Sequence, residues 1–278
     1  MAAANPSWPD QFMANITAGF AILARKPRRL AGQGPRWPAP GRLFAGALAT
    51  IALLAIITML LDAWAITSVK LLPRWLIAIF SELTEFGKSG WFLWPLGILL
   101  VVIAAIAALP LTPMSRLVLA ALAARLEFLF VAIALPGLFT TLVKQLIGRA
   151  RPFVGGAADA YLYHPLSWQG AAYASMPSGH ATTAFSVAIA FGALWPKVRP
   201  ALWTYAFVIA LSRVVVLAHH PTDVIVGAII GAFGAIIVRN IFAARRRVFA
   251  LDAQGRAKVM PGPSWRRIKT VARALRGQ

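Results

Sequence analysis

Cysteine is absent from the 278 residues. This excludes disulfides, thiolate nucleophiles and cysteine-held metals, but it identifies no compartment. Acidic side chains are also scarce, with eight Asp and Glu against 28 Lys and Arg. Charged residues of either sign make up only 13% of the chain, against 59% hydrophobic residues and a mean hydropathy of +0.71. So few charges exclude an ordinary soluble globular domain. Internal repeats are missing, and no connection between apolar runs is long enough to hold a second domain. The opening MAAANPSWPD lacks a basic segment followed directly by an apolar one. No cleavable signal peptide is therefore expected, and the first apolar run stays in the mature protein.

What the chain has instead is long apolar runs. A transmembrane helix needs about 20 mostly apolar residues. Six stretches answer to this, the fourth and sixth being short: Leu43–Leu61, Trp91–Leu109, Leu117–Val143, His180–Trp195, Ala201–Ala218 and Val224–Val238. The expectation is an all-α, polytopic membrane protein with six transmembrane helices. Its parts are a basic cytoplasmic segment over 1–42, a membrane domain over 43–243 and a basic cytoplasmic tail over 244–278.

The net charge of +20 sits mainly at the ends, with six Lys and Arg in residues 1–42 and eleven in 239–278. The positive-inside rule puts both tails in the cytoplasm, and an even number of spans agrees. Arg116, Lys197 and Arg199 then also lie inside, while 144–180 and 219–223 face outward. Juxtamembrane basic clusters contact anionic lipid headgroups, and no aromatic-interleaved or zinc-finger pattern supports nucleic acid. Phe12, Met13, Ile16, Phe20 and Leu23 share a helical face ahead of Arg25, Lys26, Arg28 and Arg29, which suits either a helix lying on the membrane surface or a disordered leader.

Three polar segments interrupt the apolar background, each at the end of a run: KQLIGRARP (144–152), PSGH (177–180) and SRVVVLAHHPTD (212–223). In the first, Lys144, Arg149 and Arg151 taken alone read as snorkelling interfacial cations; the alternative is phosphate ligands, a guanidinium matching phosphate oxygens with a planar fork. Pro152 ends the helical stretch. In the second, Ser178 is placed to cap a helix opened by Gly179 and His180, whose free N–H groups and dipole make an anion site. A plain capped helix with an incidental histidine is the lesser alternative. In the third, Arg213 inside a membrane helix marks a site by default. Asp223, four residues after His219, can orient that imidazole and leave its other nitrogen as a nucleophile. A metal held by His219, His220 and Asp223 is the alternative, though adjacent histidines make awkward joint ligands.

Lys144-x6-Arg151-Pro152, Pro177-Ser178-Gly179-His180 and Ser212-Arg213-x5-His219-x3-Asp223 together resemble the three-part signature of the type 2 phosphatidic acid phosphatases. These lipid phosphate phosphatases share a helical core with the vanadium haloperoxidases. The resemblance runs from about Lys144 to the end of the sixth run, without departure at a signature position; His220 and Thr222 fall at variable ones. It implies that Lys144, Arg151 and Arg213 clamp the phosphate oxygens, with Ser178 and the Gly179 backbone adding hydrogen bonds. His219 would attack phosphorus to give a phosphohistidine, oriented by Asp223, and His180 would protonate the leaving oxygen. No metal and no cofactor are implied.

The expected function is removal of phosphate from a membrane lipid phosphate or pyrophosphate at the outer leaflet, in a bacterial inner membrane. Isoprenyl pyrophosphate, phosphatidylglycerol phosphate, phosphatidic acid and lipid A phosphate are the substrate candidates. A lipid phosphotransferase with an alcohol acceptor and a non-catalytic lipid-phosphate carrier are the rivals. The oligomeric state is not legible. Arg125 and Glu127 are read as lying at the inner membrane edge, and Glu82, Glu85 and Lys88 as lining or anchoring the outer lip. Tyr161, Tyr163, His164, Trp168 and Tyr173 make the long outer loop aromatic, which suits headgroup depth.

Overall fold

A computed structural model describes residues 7–24, 39–154, 159–166 and 170–276. Arg25, Lys26, Arg28, Arg29, Arg36 and Trp168, and the side chains of Phe20 and Leu23, lie outside the described residues. The regular elements among the described residues are helices and one short hairpin. In order the helices are α1 (Trp8–Ala24), α2 (Pro40–Ile57), α3 (Ala63–Val69), α4 (Arg74–Glu85), α5 (Gly90–Ala107), α6 (Pro113–Ile147), α7 (Gly179–Leu194), α8 (Arg199–Val215), α9 (Pro221–Ala244) and α10 (Trp265–Arg276). The hairpin pairs β1 (Phe249–Leu251) with β2 (Ala257–Val259), Ala250 opposite Lys258.

Among the described residues, five helical segments are long and apolar enough to cross a membrane: Pro40–Val69, Arg74–Ala107, Pro113–Ile147, Pro196–Val215 and Pro221–Ala244. The fourth apolar run forms α7, which has 16 residues and so spans about 24 Å, short of a hydrocarbon core of about 30 Å. Its ends are set locally, by the Ser178 cap and by Pro196 just beyond Trp195. The first run reaches further than its apolar composition suggests. A π-turn over Thr58–Asp62 joins α2 to α3, and Asp62 within it is fully buried.

The chain forms two compact units. One takes in Met1–Pro35, Phe92–Val131 and Val238–Gln278. Within it, Val271, Ile268 and Leu275 on one face of α10 pack against Val118 and Leu119 of α6 and Ile103 and Ile106 of α5. Phe128 meets Phe242 and Phe249 edge-on, with centroids 5.5 and 4.8 Å apart. Arg125 donates to the Met260 carbonyl at 3.0 Å, and Glu127 pairs with Arg247 at 3.5 Å. These two charges therefore tie the chain around the hairpin to α6.

The other unit takes in Arg36–Trp91 and Ala132–Ile237. Helix α2 buries no residue here, as suits a helix apolar all round with lipid as its solvent. Helix α7 is the reverse, buried along most of its length by small side chains. Ala181, Ala184, Phe185 and Ala188 of α7 form a core with Ala206, Ile209 and Ala210 of α8 and Val224 of α9. Helix α9 comes so close that a Cβ on Gly227 would collide with the Ser178 backbone, and one on Gly231 with that of Thr182. Glycine is required at both positions by proximity.

Candidate active site

Within this second unit the three polar segments meet at one end of the helices, because α6 and α8 run towards that end and α7 and α9 start from it. Each segment is shaped by how its helix stops or begins.

At the end of α6, Gly148 turns the chain with φ +59°, where a Cβ would strike the His164 carbonyl. The following residues run extended: Arg149 bridges to Tyr163, and the Ser175 N–H donates to the Arg149 carbonyl at 3.0 Å. At the start of α7, Ser178 Oγ accepts the Ala181 N–H at 3.5 Å, and the Ser178 N–H donates to the Asp223 carbonyl at 2.9 Å. At the end of α8, Leu217 takes φ +55°, and the Arg213 carbonyl accepts the N–H groups of both Ala218 and His219 at 3.1 Å. The Ala218 bond is the 6→1 closure of the turn, and the next N–H, that of His219, shares its acceptor, which holds His219 six positions after Arg213. At the start of α9, the Asp223 carboxylate reaches back to the His220 N–H at 2.9 Å, as an acidic residue in a helix's first turn does for its cap.

The expected site residues come together here. Each of Lys144, Arg151, His180, Arg213, His219 and Asp223 lies within electrostatic reach of others of this group. Lys144 Nζ donates to the Ala174 carbonyl at 2.8 Å, and its stem passes over Gly179 at the start of α7. Arg213 is held by Thr84 Oγ1 of α4 at 2.7 Å. The turn after α4 presses on His180, where a Cβ on Gly87 would come within 2.8 Å of the ring. The Glu85–Lys88 pair beyond it is exposed. Arg151 Nε, Arg213 Nε and His180 Nε2 are buried with no protein partner. Buried donors are ordinarily satisfied, so three orphans in one cluster fit an anion in contact with them.

His219 is 1% exposed. Burial pushes its imidazole down to about 4, against the pull of Asp223 and with the push of Lys144 and Arg213. It is therefore neutral at neutral pH, as a nucleophile must be. Burial also lowers the Arg151 pKa, with Asp223 opposing. His219 Nδ1 stands 3.8 Å from Asp223 Oδ2, too far for a direct hydrogen bond. Ser175 lies between, its Oγ 3.5 Å from that nitrogen and donating to Asp223 Oδ2 at 2.6 Å.

Asp62 and Ser175 escape the sequence reading, and Arg149 and Thr222 take parts other than those it gave them. Arg149 is not a snorkelling cation. It is completely buried, donating to Asp62 and Asp223 at 2.7 Å each, to Thr222 Oγ1 at 2.8 Å and twice to the Ala160 carbonyl, at 3.1 and 2.9 Å. The carboxylates raise its pKa against the effect of burial. Thr222 donates both its N–H and its hydroxyl to Asp62. Asp62 alone carried a signal, as a charge closing an apolar run. With both oxygens of Asp223 engaged by Arg149, Ser175 and the His220 N–H, the His219, His220 and Asp223 group makes a poor metal cage. Among the described residues no three His, Asp or Glu side chains form one.

Fold and site thus define a polytopic helical membrane protein with a buried cationic cluster around a neutral histidine. The PAP2 superfamily model matches residues 126–247. A lipid A 1-phosphatase of Rhizobium johnstonii is 33% identical over 173 residues, which cover 62% of this chain and 70% of that protein. A putative undecaprenyl-diphosphatase of Escherichia coli is 32% identical over 116 residues, 41% of this chain and 55% of that protein. The crystal structure of Aquifex aeolicus LpxE superposes with a TM-score of 0.46 at 23% identity, covering 64% of this chain and 94% of that one. The chain belongs to the PAP2 superfamily.

Proposed function

We propose that this protein, an integral-membrane lipid phosphatase, removes the phosphate of a lipid A-type glycolipid through a phosphohistidine. The three orphaned buried donors beside the neutral His219 carry the reading, since they suit an anion facing a nucleophile. The lipid A 1-phosphatase relative favours the substrate. The undecaprenyl-diphosphatase relative favours an isoprenyl diphosphate as the second candidate.

Lys144, Arg151 and Arg213 hold the phosphate oxygens, with Ser178 and the Gly179 N–H at the start of α7. The free nitrogen of His219 attacks phosphorus in line, Asp223 supporting the imidazole as positive charge develops. The P–O bond to the lipid breaks, and its oxygen takes the proton that His180 has gained, as an imidazolium, on binding the phosphate, which returns His180 to the neutral form. Water then attacks the phosphohistidine, gives its proton to His180 and releases inorganic phosphate. Counting α7 as a crossing gives six spans. With the basic tails and their anionic lipid contacts inside, the site faces the outer, periplasmic side of a bacterial inner membrane.

The test is phosphate release by the detergent-solubilised protein in chelator, on lipid A, undecaprenyl diphosphate, phosphatidylglycerol phosphate and phosphatidic acid, beside His219→Ala. Release from lipid A that vanishes in the variant, together with an acid-labile phosphoenzyme, is the expected result. Release that survives in His219→Ala refutes the mechanism. A new phosphodiester in place of free phosphate makes the protein a transferase, and binding without turnover makes it a carrier.

A further inference from the structure

The histidine and its carboxylate are not in direct contact, and what fills the gap is specific. Ser175 is completely buried, and its hydroxyl has one proton to give. That proton goes to Asp223 Oδ2 at 2.6 Å, which leaves a lone pair on Oγ towards His219 Nδ1, 3.5 Å away. The arrangement is self-consistent only if Nδ1 carries the imidazole hydrogen, which leaves the other nitrogen with its lone pair free. Asp223 is itself held from behind. Its Oδ1 accepts from Arg149, whose other amino group donates to Asp62 of the first apolar segment, while Thr222 joins Asp62 by backbone and side chain. Asp62, Arg149, Thr222, Ser175 and Asp223 are all buried, so each alternative position would break a hydrogen bond out of reach of water.

We infer that Ser175 is a positioning residue carrying the hold of Asp223 on the His219 imidazole, and that Asp62, through Arg149 and Thr222, keeps Asp223 in place for that task. The inference rests on His219 being the nucleophile. It extends the catalytic unit to the π-turn in the first span, which the three sequence segments do not include. The π-turn has a use in this scheme: a helix interrupted by one wider turn shifts the direction of the side chains that follow, and Asp62 closes that turn.

The experiment measures kcat and KM of the full-length protein in detergent, with lipid A in mixed micelles, or phosphatidic acid where lipid A is not turned over. Rates are normalised to the fraction of protein that binds orthovanadate, so misfolded material does not count. Ser175→Ala is expected to lower kcat about 10-fold to 100-fold with KM within about 3-fold, as expected when the group orienting a reactive histidine is lost. Added to Asp223→Asn, it should change kcat by less than about 2-fold, because the two act through one chain. Asp62→Asn should likewise lower kcat per vanadate-binding site and be non-additive with Asp223→Asn. Full additivity, or a Ser175→Ala kcat within about 2-fold of wild type, overturns the relay. Normal kcat per site in Asp62→Asn makes Asp62 a stability residue alone. Should Asp62→Asn fail to fold, the Ser175 cycle still decides the relay. An active His219→Ala would instead sink the mechanism beneath it.

Discussion

Arg149 and Arg151 are two residues apart and look alike in the sequence, yet they should respond to substitution in opposite ways. All five N–H donors of Arg149 are engaged, and its charge stands between two buried carboxylates. Arg149→Met leaves Asp62 and Asp223 facing each other without a cation. Removing one partner of a buried ion pair destabilises by roughly 3–5 kcal/mol, or roughly 10 °C in melting temperature for a chain of this size. Arg149→Lys should recover about half of that, since an ammonium cannot serve both carboxylates and the Ala160 carbonyl from one point. Arg151 has a buried Nε with no partner, and burial already lowers its pKa. Arg151→Met should therefore leave the melting temperature within a few degrees, while lowering kcat/KM by about 100-fold to 1000-fold through loss of phosphate stabilisation. Melting followed by tryptophan fluorescence in one detergent, without phosphate, compares the three variants. Equal melting losses at the two arginines would refute the division of labour, as would an Arg149→Met protein as stable as wild type.

Three further outcomes follow from the geometry. Gly231→Ala and Gly227→Ala place a Cβ against the α7 backbone and should destabilise by roughly 1–3 kcal/mol; Gly137→Ala, with open space around it, should not, and equal melting of all three would refute the close approach. The His219 imidazole, at about 4 against an ordinary 6.5, binds fewer protons in the folded chain than in the unfolded one between those values. Its stabilisation is full above pH 6.5 and is lost as pH falls towards 4, by about 3 kcal/mol; His219→Gln should thus lose less melting temperature than wild type between pH 7.5 and 4.5, and identical losses would contradict the shift. His180→Ala should slow lipid phosphates with poor leaving groups far more than p-nitrophenyl phosphate, and a uniform loss across a leaving-group series would remove its role as acid.

Legibility in the sequence followed the physics that wrote each part. The spans were visible because lipid demands length and apolarity together, and Pro113–Ile147 and Pro196–Val215 fall within a few residues of the expected runs. Helix α7 was expected as a span and is shorter than the other five, because its boundaries answer to the Ser178 cap and its burial by neighbouring helices. The motif residues were readable because their spacing is local: a helix cap, the turn from Arg213 to His219, one turn of α9 to Asp223. What brings Asp62 to Arg149 is tertiary, since 87 positions separate them and no periodicity connects them. Ser175, two residues before Pro177, offered no signal as one more small polar loop residue. Helix α4 and the hold of Thr84 on Arg213 were likewise hidden, the run before Trp91 being only half apolar.

The charges of the site acquire a direction once Arg149 is moved from the substrate side to the support side. Asp62, Arg149 and Asp223 together carry a single net negative charge, wholly buried behind His219. Lys144 and Arg213 lie within electrostatic reach of the histidines, and Arg151 within reach of Lys144, Arg213 and Asp223; with both histidines uncharged before substrate binds, the whole cluster then has an excess of two positive charges. A phosphomonoester brings about −1.5 to −2 at neutral pH, so in the proposed mechanism binding nearly neutralises the site. Attack then makes the imidazole cationic while negative charge moves to the leaving oxygen. The negative group stands behind the ring that becomes positive, and the cations face the oxygens that become more negative, so the field favours the transition state over the bound substrate. Had Arg149 faced the phosphate as a fourth clamp, Asp62 and Asp223 would be left as an uncompensated carboxylate pair, and the same residues would bind phosphate more tightly while supporting the histidine less well.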